Sequence, residues 1–205
     1  MNLPNRLTLS RILLVPFILL FMLPISPTFL NWLQGTAGLE VLAIPLGTWT
    51  HFVVDYGIYV AAFLFLVAAL TDSFDGAIAR KRGIVTNLGK FLDPIADKIL
   101  VASILVALVQ LGRVGSLAVI VILLREFVVS ALRMVASDKG IVISASLLGK
   151  VKTVTQIVAI LLVMVQDLFA FLVPLSRVAM LVAVLLTLYS GLDYLVKHAA
   201  ALRET

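Results

Sequence analysis

The chain lacks cysteine and has few charged residues. With no cysteine in 205 residues, disulfides, thiolate nucleophiles and cysteine-ligated metals are excluded, so any chemistry must use oxygen and nitrogen groups. Charged residues make up only 13% of the sequence, hydrophobic residues make up 62%, and the mean hydropathy is +1.16. This composition lies outside that of soluble globular proteins and predicts an integral membrane protein with a single domain, residues 1–205.

Histidine is also scarce, and the net charge is modest. The two histidines, His51 and His198, have no acidic or histidine neighbours at ligand spacing, so neither is assigned a role. The net charge of +5 suits basic residues that line an anionic cytoplasmic leaflet, and no segment is typical of nucleic-acid binding. We therefore expect membrane lipids, and no nucleic acid, among the partners.

Six apolar stretches are long enough to cross a bilayer. They are residues 9–23, 56–79, 95–111, 116–136, 151–173 and 175–196. Arg6, before the first stretch, and Arg11, near its beginning, are also typical of a signal peptide, but residues 24–27 lack a small-x-small cleavage pattern, so a retained anchor is expected. The predicted fold is an all-α polytopic membrane protein with six transmembrane helices.

Basic residues are unevenly distributed among the connecting segments. Residues 24–55 contain no lysine or arginine, whereas residues 80–98 contain five such residues and residues 133–152 contain four. Because cytoplasmic loops hold an excess of lysine and arginine, residues 24–55 are expected outside. Both termini and the two basic segments are expected in the cytoplasm.

Four of the eleven acidic residues form two closely spaced pairs. Asp72 and Asp75 are three residues apart and Asp93 and Asp97 are four apart, so each pair projects from one face of a helix. Four like charges at the margin of a bilayer need cations between them, and hard oxygen ligands favour Mg²⁺, Mn²⁺ or Ca²⁺. With Arg80 behind the first pair, this arrangement predicts metal-dependent phosphoryl transfer at a membrane surface.

The spacing of these residues resembles the signature of the CDP-alcohol phosphatidyltransferase family. From Asp72 to Asp97 the chain reads Asp-x2-Asp-Gly-x2-Ala-Arg-x8-Gly-x3-Asp-x3-Asp. The resemblance implies a homodimer in a bacterial cytoplasmic membrane, a site that faces the cytoplasm, two Mg²⁺ or Mn²⁺ ions, and transfer of a phosphatidyl group from a CDP-lipid to an alcohol with release of CMP. It also implies roles for single residues: Asp72, Asp75 and Asp93 as metal ligands, Asp97 as both general base and ligand, and Asn5, Gly76, Arg80 and Thr86 as the CDP-binding set.

Further motifs resemble the phosphatidylglycerophosphate synthases within this family. They are residues 5–16, 86–94, 125–127, 131–133 and 149–153, and the likeness covers about residues 2–160. This branch implies CDP-diacylglycerol and sn-glycerol 3-phosphate as substrates. Because sn-glycerol 3-phosphate is a dianion, its pocket needs cations. Arg133 and Lys150, with Lys152 and Arg125 behind them, are the expected acceptor phosphate-binding residues.

Several of these residues also suit purely structural roles. Asp93, which precedes a proline, suits a helix N-cap. Arg125 and Glu126, in the middle of the fourth span, suit either an ion pair inside the bundle or a cavity wall. Arg133 and Lys150 also suit ordinary basic residues that snorkel to the cytoplasmic interface.

Two alternative functions stay open on the sequence alone. One is the same chemistry with another acceptor, such as inositol phosphate, serine or phosphatidylglycerol. The other is a divalent-cation transporter, in which intramembrane aspartates would line a permeation path. The clustering of the acids at one membrane face, beside Arg80, favours the enzyme.

Overall fold

Helices are the only regular secondary structure in the part of the chain that the structure describes. A computed structural model describes the backbone of residues 3–36, 39–82, 87–138 and 147–203, and the side chains of 9–36, 39, 41–71, 95–96, 98–134, 136 and 147–197. The helices are α1 (Leu3–Met22), α2 (Pro27–Gln34), α3 (Glu40–Phe52), α4 (Ile58–Arg82), α5 (Asn87–Gln110), α6 (Ser116–Asp138), α7 (Leu147–Met164) and α8 (Leu172–Arg203). A π-helical turn, Val53–Gly57, joins α3 to α4, and a 3₁₀ turn, Gln166–Leu168, follows α7. The predicted all-α class is confirmed.

Each of the six predicted spans lies mainly on a different long helix, and these helices are α1, α4, α5, α6, α7 and α8. Among the described residues, three helical stretches are long and apolar enough to cross a membrane, namely Val41–Thr71, Leu147–Met164 and Leu172–Lys197. The count rises to four if Leu9–Met22 and Pro27–Gln34, which meet at 80°, form one broken span. The chain therefore has the helices of a membrane protein, and the six-span topology with cytoplasmic termini stays a prediction.

Residues 24–55, which the sequence suggested as a loop, are largely helical. Ser26 caps α2, since its Oγ accepts a hydrogen bond of 3.2 Å from the amide of Phe29, and Pro27 occupies the first helical position. Further on, α3 continues through the π turn into α4 without a break. The stretch Val41–Thr71 has 31 residues, which corresponds to roughly 46 Å of α-helix, so it is longer than the hydrocarbon core of a bilayer.

The predicted end of the fifth span is wrong. Instead of continuing to residue 173, α7 ends at Met164, and α8 begins at Leu172. Polar contacts hold the intervening turn: Ser176 donates a hydrogen bond of 2.8 Å to Gln166 Oε1, and Arg113 forms an ion pair with Asp167. The sequence is apolar on both sides of this turn, so hydropathy alone did not indicate the break.

The described helices pack in two compact units, residues 1–107 and residues 108–205. In the first unit α1 packs along α4, with Ile18 and Phe65 fully buried. At the π turn, Gly57 lies against the backbone of Phe21 in α1, where a Cβ atom would collide with the Phe21 carbonyl oxygen and lie 3.2 Å from its carbonyl carbon. The prediction of a single domain stays a prediction.

In the second unit, α8 packs against both α6 and α7. The deeply buried apolar side chains of these helices include Ile122, Ile160, Val163, Met164 and Ala183. The buried polar residues are Ser176, near the start of α8, and a second group made of Lys152, Gln156, Thr187 and Ser190. The carboxyl-terminal part of α6, the beginning of α7 and the carboxyl-terminal part of α8 therefore meet around polar side chains.

Candidate functional site

The two aspartate pairs lie on α4 and α5, on either side of the short connection between these helices. Asp72 and Asp75 fall within α4, which ends at Arg82, and Asp93 and Asp97 fall within α5, which begins at Asn87. The predicted helical setting of both pairs is therefore present in the backbone. The side chains of these four aspartates lie outside the described residues, so the predicted metal site stays a prediction.

The predicted CDP-binding residues lie in the same undescribed part. Gly76 and Arg80 belong to α4 and Asn5 belongs to α1, but their side chains are not described, and Thr86 lies outside the described backbone. No group of three or more potential metal ligands occurs among the residues whose side chains the structure describes, a set that does not include the aspartates.

The helix bounds exclude one structural alternative for Asp93. An N-cap residue immediately precedes the first turn of its helix. Because α5 begins at Asn87, Asp93 lies inside the helix, beyond its first turn. Capping therefore does not explain this aspartate.

In the second unit, Arg125, Glu126 and Lys152 form a cluster that we call the inner charge layer. The Glu126 Oε1 atom accepts hydrogen bonds from the Lys152 ammonium of α7 and, at 3.3 Å, from Nη1 of Arg125. The exposed fractions of the three side chains are 12% for Arg125, 17% for Glu126 and 4% for Lys152. The sequence left open whether Arg125 and Glu126 form an ion pair inside the bundle or line a cavity wall, and the structure shows the ion pair.

Arg125 also contacts α8, the third helix of this unit. Its Nη2 atom donates a hydrogen bond of 2.7 Å to Ser190 Oγ in α8. Beside Ser190, Gly191 leaves room for the arginine, since a Cβ atom at position 191 would lie 2.9 Å from Arg125 Cγ. The Nε atom of Arg125 is buried and has no hydrogen-bond partner among the described residues.

Two further polar contacts flank the inner charge layer along α8. One turn earlier, Gln156 Nε2 of α7 donates to Thr187 Oγ1 at 2.9 Å, and both side chains are buried. One turn later, the guanidinium carbon of Arg133 lies 5.6 Å from the centre of the Tyr194 ring, within range of a cation–π contact. The polar interior thus extends over about two turns of α8, from Thr187 to Tyr194.

The four predicted acceptor-binding residues divide into an outer and an inner pair. Arg133 and Lys150 are exposed, and we call them the outer cations, whereas Lys152 is buried and Arg125 is nearly so. Their predicted role in binding the acceptor phosphate stays a prediction. A ligand in solution therefore has direct access only to the outer pair within this set of four.

The inner charge layer has an excess of one positive charge. Its two cations and one carboxylate lie in a water-poor interior, where breaking such a contact by removing one partner typically costs about 3–5 kcal/mol. Replacement of the whole cluster by apolar residues of similar volume is often neutral. Net stability is therefore a weak explanation for charges in this position.

The sequence did not indicate that the Glu126 carboxylate accepts hydrogen bonds from both cations. It also did not indicate the contacts of Ser190, Gly191, Thr187 and Gln156. A signal was present in α8, where Thr187, Ser190 and Tyr194 recur at helical spacing after an apolar run, residues 178–186. Such a stripe predicts a polar helix face. It does not predict which cation that face meets, because the partner lies on another helix.

Comparison with known proteins agrees with the sequence motif. The profile of the CDP-alcohol phosphatidyltransferase family matches residues 1–189. The chain is 42% identical over its whole length to the CDP-diacylglycerol–glycerol-3-phosphate 3-phosphatidyltransferase of Bacillus subtilis (strain 168), of which it covers 98%. It is 35% identical over 94% of its length to the protein of the same name from Rickettsia bellii (strain RML369-C), of which 93% is covered. It is 38% identical over 99% of its length to the probable phosphatidylglycerophosphate synthase of Mycobacterium tuberculosis (strain ATCC 25618 / H37Rv), of which 83% is covered. The chain belongs to the CDP-alcohol phosphatidyltransferase family.

Proposed function

We propose that the protein transfers the phosphatidyl group of CDP-diacylglycerol to sn-glycerol 3-phosphate, giving phosphatidylglycerophosphate and CMP. The main support is the 42% identity, over the whole chain, to the Bacillus subtilis protein named for this reaction. The outer cations of the second unit add a physical reason for an acceptor with a phosphate group. The reaction belongs to phospholipid biosynthesis, and both substrates reach the protein at a membrane surface.

In the proposed reaction a hydroxyl oxygen of the acceptor forms a bond to the phosphorus of the phosphatidyl group. The bond between this phosphorus and the bridging oxygen of the pyrophosphate breaks, and CMP leaves with that oxygen. Asp97 takes the proton of the attacking hydroxyl as general base. No oxidant or further reactant is needed.

The carboxylates of Asp72, Asp75, Asp93 and Asp97 would hold two Mg²⁺ or Mn²⁺ ions. The donor set fits these ions, since all four side chains offer hard oxygen ligands, two from α4 and two from α5. Such ions neutralise charge on the pyrophosphate and on the leaving phosphate when they are bound. Gly76, Arg80, Thr86 and Asn5 would contact the CDP moiety.

In the acceptor pocket, we assign direct contact with the phosphate to Arg133 and Lys150. Their exposure supports this assignment, because a soluble dianion must reach its partners from water. Lys152 and Arg125 would act from behind, through the excess positive charge of the inner charge layer. Serine and phosphatidylglycerol lack a phosphomonoester group and would gain little from these cations.

The proposed setting is the cytoplasmic membrane of a bacterium. The apolar helices and the bacterial relatives support a membrane location. The lysine and arginine residues of 80–98 and 133–152 support a site on the cytoplasmic side. We also propose a homodimer, which rests on the family resemblance.

An acceptor screen tests the proposed function. Purified protein in detergent, with CDP-diacylglycerol and Mg²⁺, should release CMP on addition of sn-glycerol 3-phosphate, and much less on addition of serine, inositol phosphate or phosphatidylglycerol. Lys150→Ala and Arg133→Ala should each raise the KM for sn-glycerol 3-phosphate by roughly tenfold or more, as expected for the loss of a charged hydrogen bond. Preference for another acceptor, or metal flux into vesicles without CMP release, would overturn the proposal.

A further inference from the structure

Glu126 accepts hydrogen bonds from both cations of the inner charge layer and has no role in the proposed reaction so far. One of its carboxylate oxygens accepts hydrogen bonds from two cations, Lys152 of α7 and Arg125 of its own helix. Arg125 in turn bonds to Ser190 of α8. A single carboxylate therefore links all three helices of the second unit.

This link lies close to the outer cations along both of their helices. Lys150 precedes Lys152 by two residues, and both lie near the beginning of α7, which starts at Leu147. On α6, Arg133 follows Glu126 by seven residues, or about two turns, so the two lie on the same side of the helix. Fixing Lys152 to Glu126 therefore sets the position of the start of α7, and with it Lys150, relative to the helix that contains Arg133.

The backbone around Glu126 adds to the rigidity of this arrangement. One turn later, Ser130 Oγ donates a hydrogen bond of 2.6 Å to the Glu126 carbonyl oxygen. One turn along α7, Gln156 bonds to Thr187 of α8. The inner charge layer thus lies between two further polar contacts.

We propose that Glu126 is a positioning residue for the acceptor phosphate. It holds Lys152 and Arg125, and through them the start of α7, so that Lys150 and Arg133 are spaced to bind one phosphate group. This inference rests on the proposed function, and it assigns Glu126 no contact with either substrate. Its role is to lower the free-energy cost of holding the like charges of Lys150 and Arg133 close together at the acceptor phosphate.

The test compares the two substrates in steady-state kinetics. Glu126→Gln keeps the size of the side chain and removes its charge, so the KM for sn-glycerol 3-phosphate should rise roughly tenfold to a hundredfold. The KM for CDP-diacylglycerol and the turnover at saturating acceptor should change little, because only the acceptor pocket is affected. The inhibition constant of inorganic phosphate, measured as a competitive inhibitor against sn-glycerol 3-phosphate, should rise by a similar factor.

Two further variants separate positioning from a general loss of folding. Glu126→Asp keeps the charge and should recover part of the acceptor affinity. Lys152→Met breaks the same contact from α7, so it should raise the acceptor KM as Glu126→Gln does, and the double variant should be no worse than the more severe single variant. Asp167→Asn is the matched control, since it breaks the ion pair with Arg113 elsewhere in the same unit and should leave both KM values unchanged.

Three results would overturn the inference while leaving the proposed function intact. The first is an unchanged acceptor KM in Glu126→Gln and Lys152→Met, and the second is an equal rise in the KM of both substrates. The third is a double variant whose rise in acceptor KM is the product of the two single rises. If Glu126→Gln does not fold, Lys152→Met and Glu126→Asp decide by the same measurements. A wild-type protein that releases no CMP on addition of sn-glycerol 3-phosphate overturns the proposed function and this inference together.

Discussion

Replacing Gly191 by alanine should disturb Arg125 without changing any charge. The added Cβ atom would lie 2.9 Å from Arg125 Cγ, whereas carbon atoms in contact lie roughly 3.5–4.0 Å apart. The arginine stem must therefore move by roughly 0.6–1 Å. The atom that collides is close to the arginine backbone, so the flexible end of the side chain cannot relieve the overlap.

The expected cost follows from this displacement. Arg125 Nη2 lies 2.7 Å from Ser190 Oγ, and a shift of this size would lengthen or break that hydrogen bond. Overpacking costs about 1–3 kcal/mol, and alanine in a helix recovers about 1 kcal/mol relative to glycine. Weakening the hydrogen bond to Ser190 adds about 1 kcal/mol, so the net loss is about 1–3 kcal/mol, which corresponds to a thermal unfolding temperature lower by roughly 2–12 °C for a chain of this size.

The assay is thermal unfolding of the purified protein in detergent, with Gly47→Ala as the matched control. Gly47 also lies inside a helix, α3, but a Cβ atom there would have no neighbour within 4 Å. The control should be as stable as the wild type or slightly more so. If Gly191→Ala unfolds at the wild-type temperature or above, the close packing of Arg125 against α8 is refuted.

The remaining predictions concern other parts of the chain. Asp97→Asn cannot accept the proton of the acceptor, so turnover should fall by roughly 10²- to 10⁴-fold, while binding of CDP-diacylglycerol in Mn²⁺ persists; lost binding would make Asp97 mainly a metal ligand. Gly57→Ala places a Cβ atom against the backbone of Phe21, so it should destabilise the protein by about 1–3 kcal/mol in detergent unfolding, and wild-type stability would contradict the packing of α1 on the π turn. Trp32 is exposed on the short helix α2, so its fluorescence, measured after Trp49→Phe, should be quenched most by lipids brominated near the headgroup; stronger quenching by lipids brominated deep in the chains would contradict an interfacial position.

Much of the helical architecture could be predicted because hydropathy reports directly on long apolar helices. The predicted apolar stretches 56–79, 116–136 and 175–196 lie almost entirely within α4, α6 and α8. The π turn at Val53–Gly57 could not be predicted in this way, since its position depends on the approach of Gly57 to Phe21 in another helix. The end of α7 at Met164 likewise depends on contacts of Gln166 and Asp167 with distant residues.

In the candidate site, too, some features could be predicted from the sequence and others could not. The aspartate pairs could be identified because their spacing along the chain is itself the signal, and the structure has each pair on a helix. The structure has Lys150 exposed and Lys152 buried, and the acceptor-binding role that the sequence suggested for both stays a prediction. The bond between Lys152 and Glu126 did not follow from the sequence, because 26 residues separate them and the two side chains meet only because α6 and α7 both pack against α8.

The most direct test of the central claim is transfer of radiolabelled sn-glycerol 3-phosphate into lipid. Purified protein, supplied with CDP-diacylglycerol and Mg²⁺, should move the label into an organic-soluble phospholipid and release one CMP for each acceptor incorporated, and excess chelator should stop both. Asp72→Asn should abolish incorporation while the protein remains folded. Label that stays in the aqueous phase while CMP is released to another acceptor would contradict the proposed acceptor, and full incorporation in excess chelator would contradict the proposed metal site.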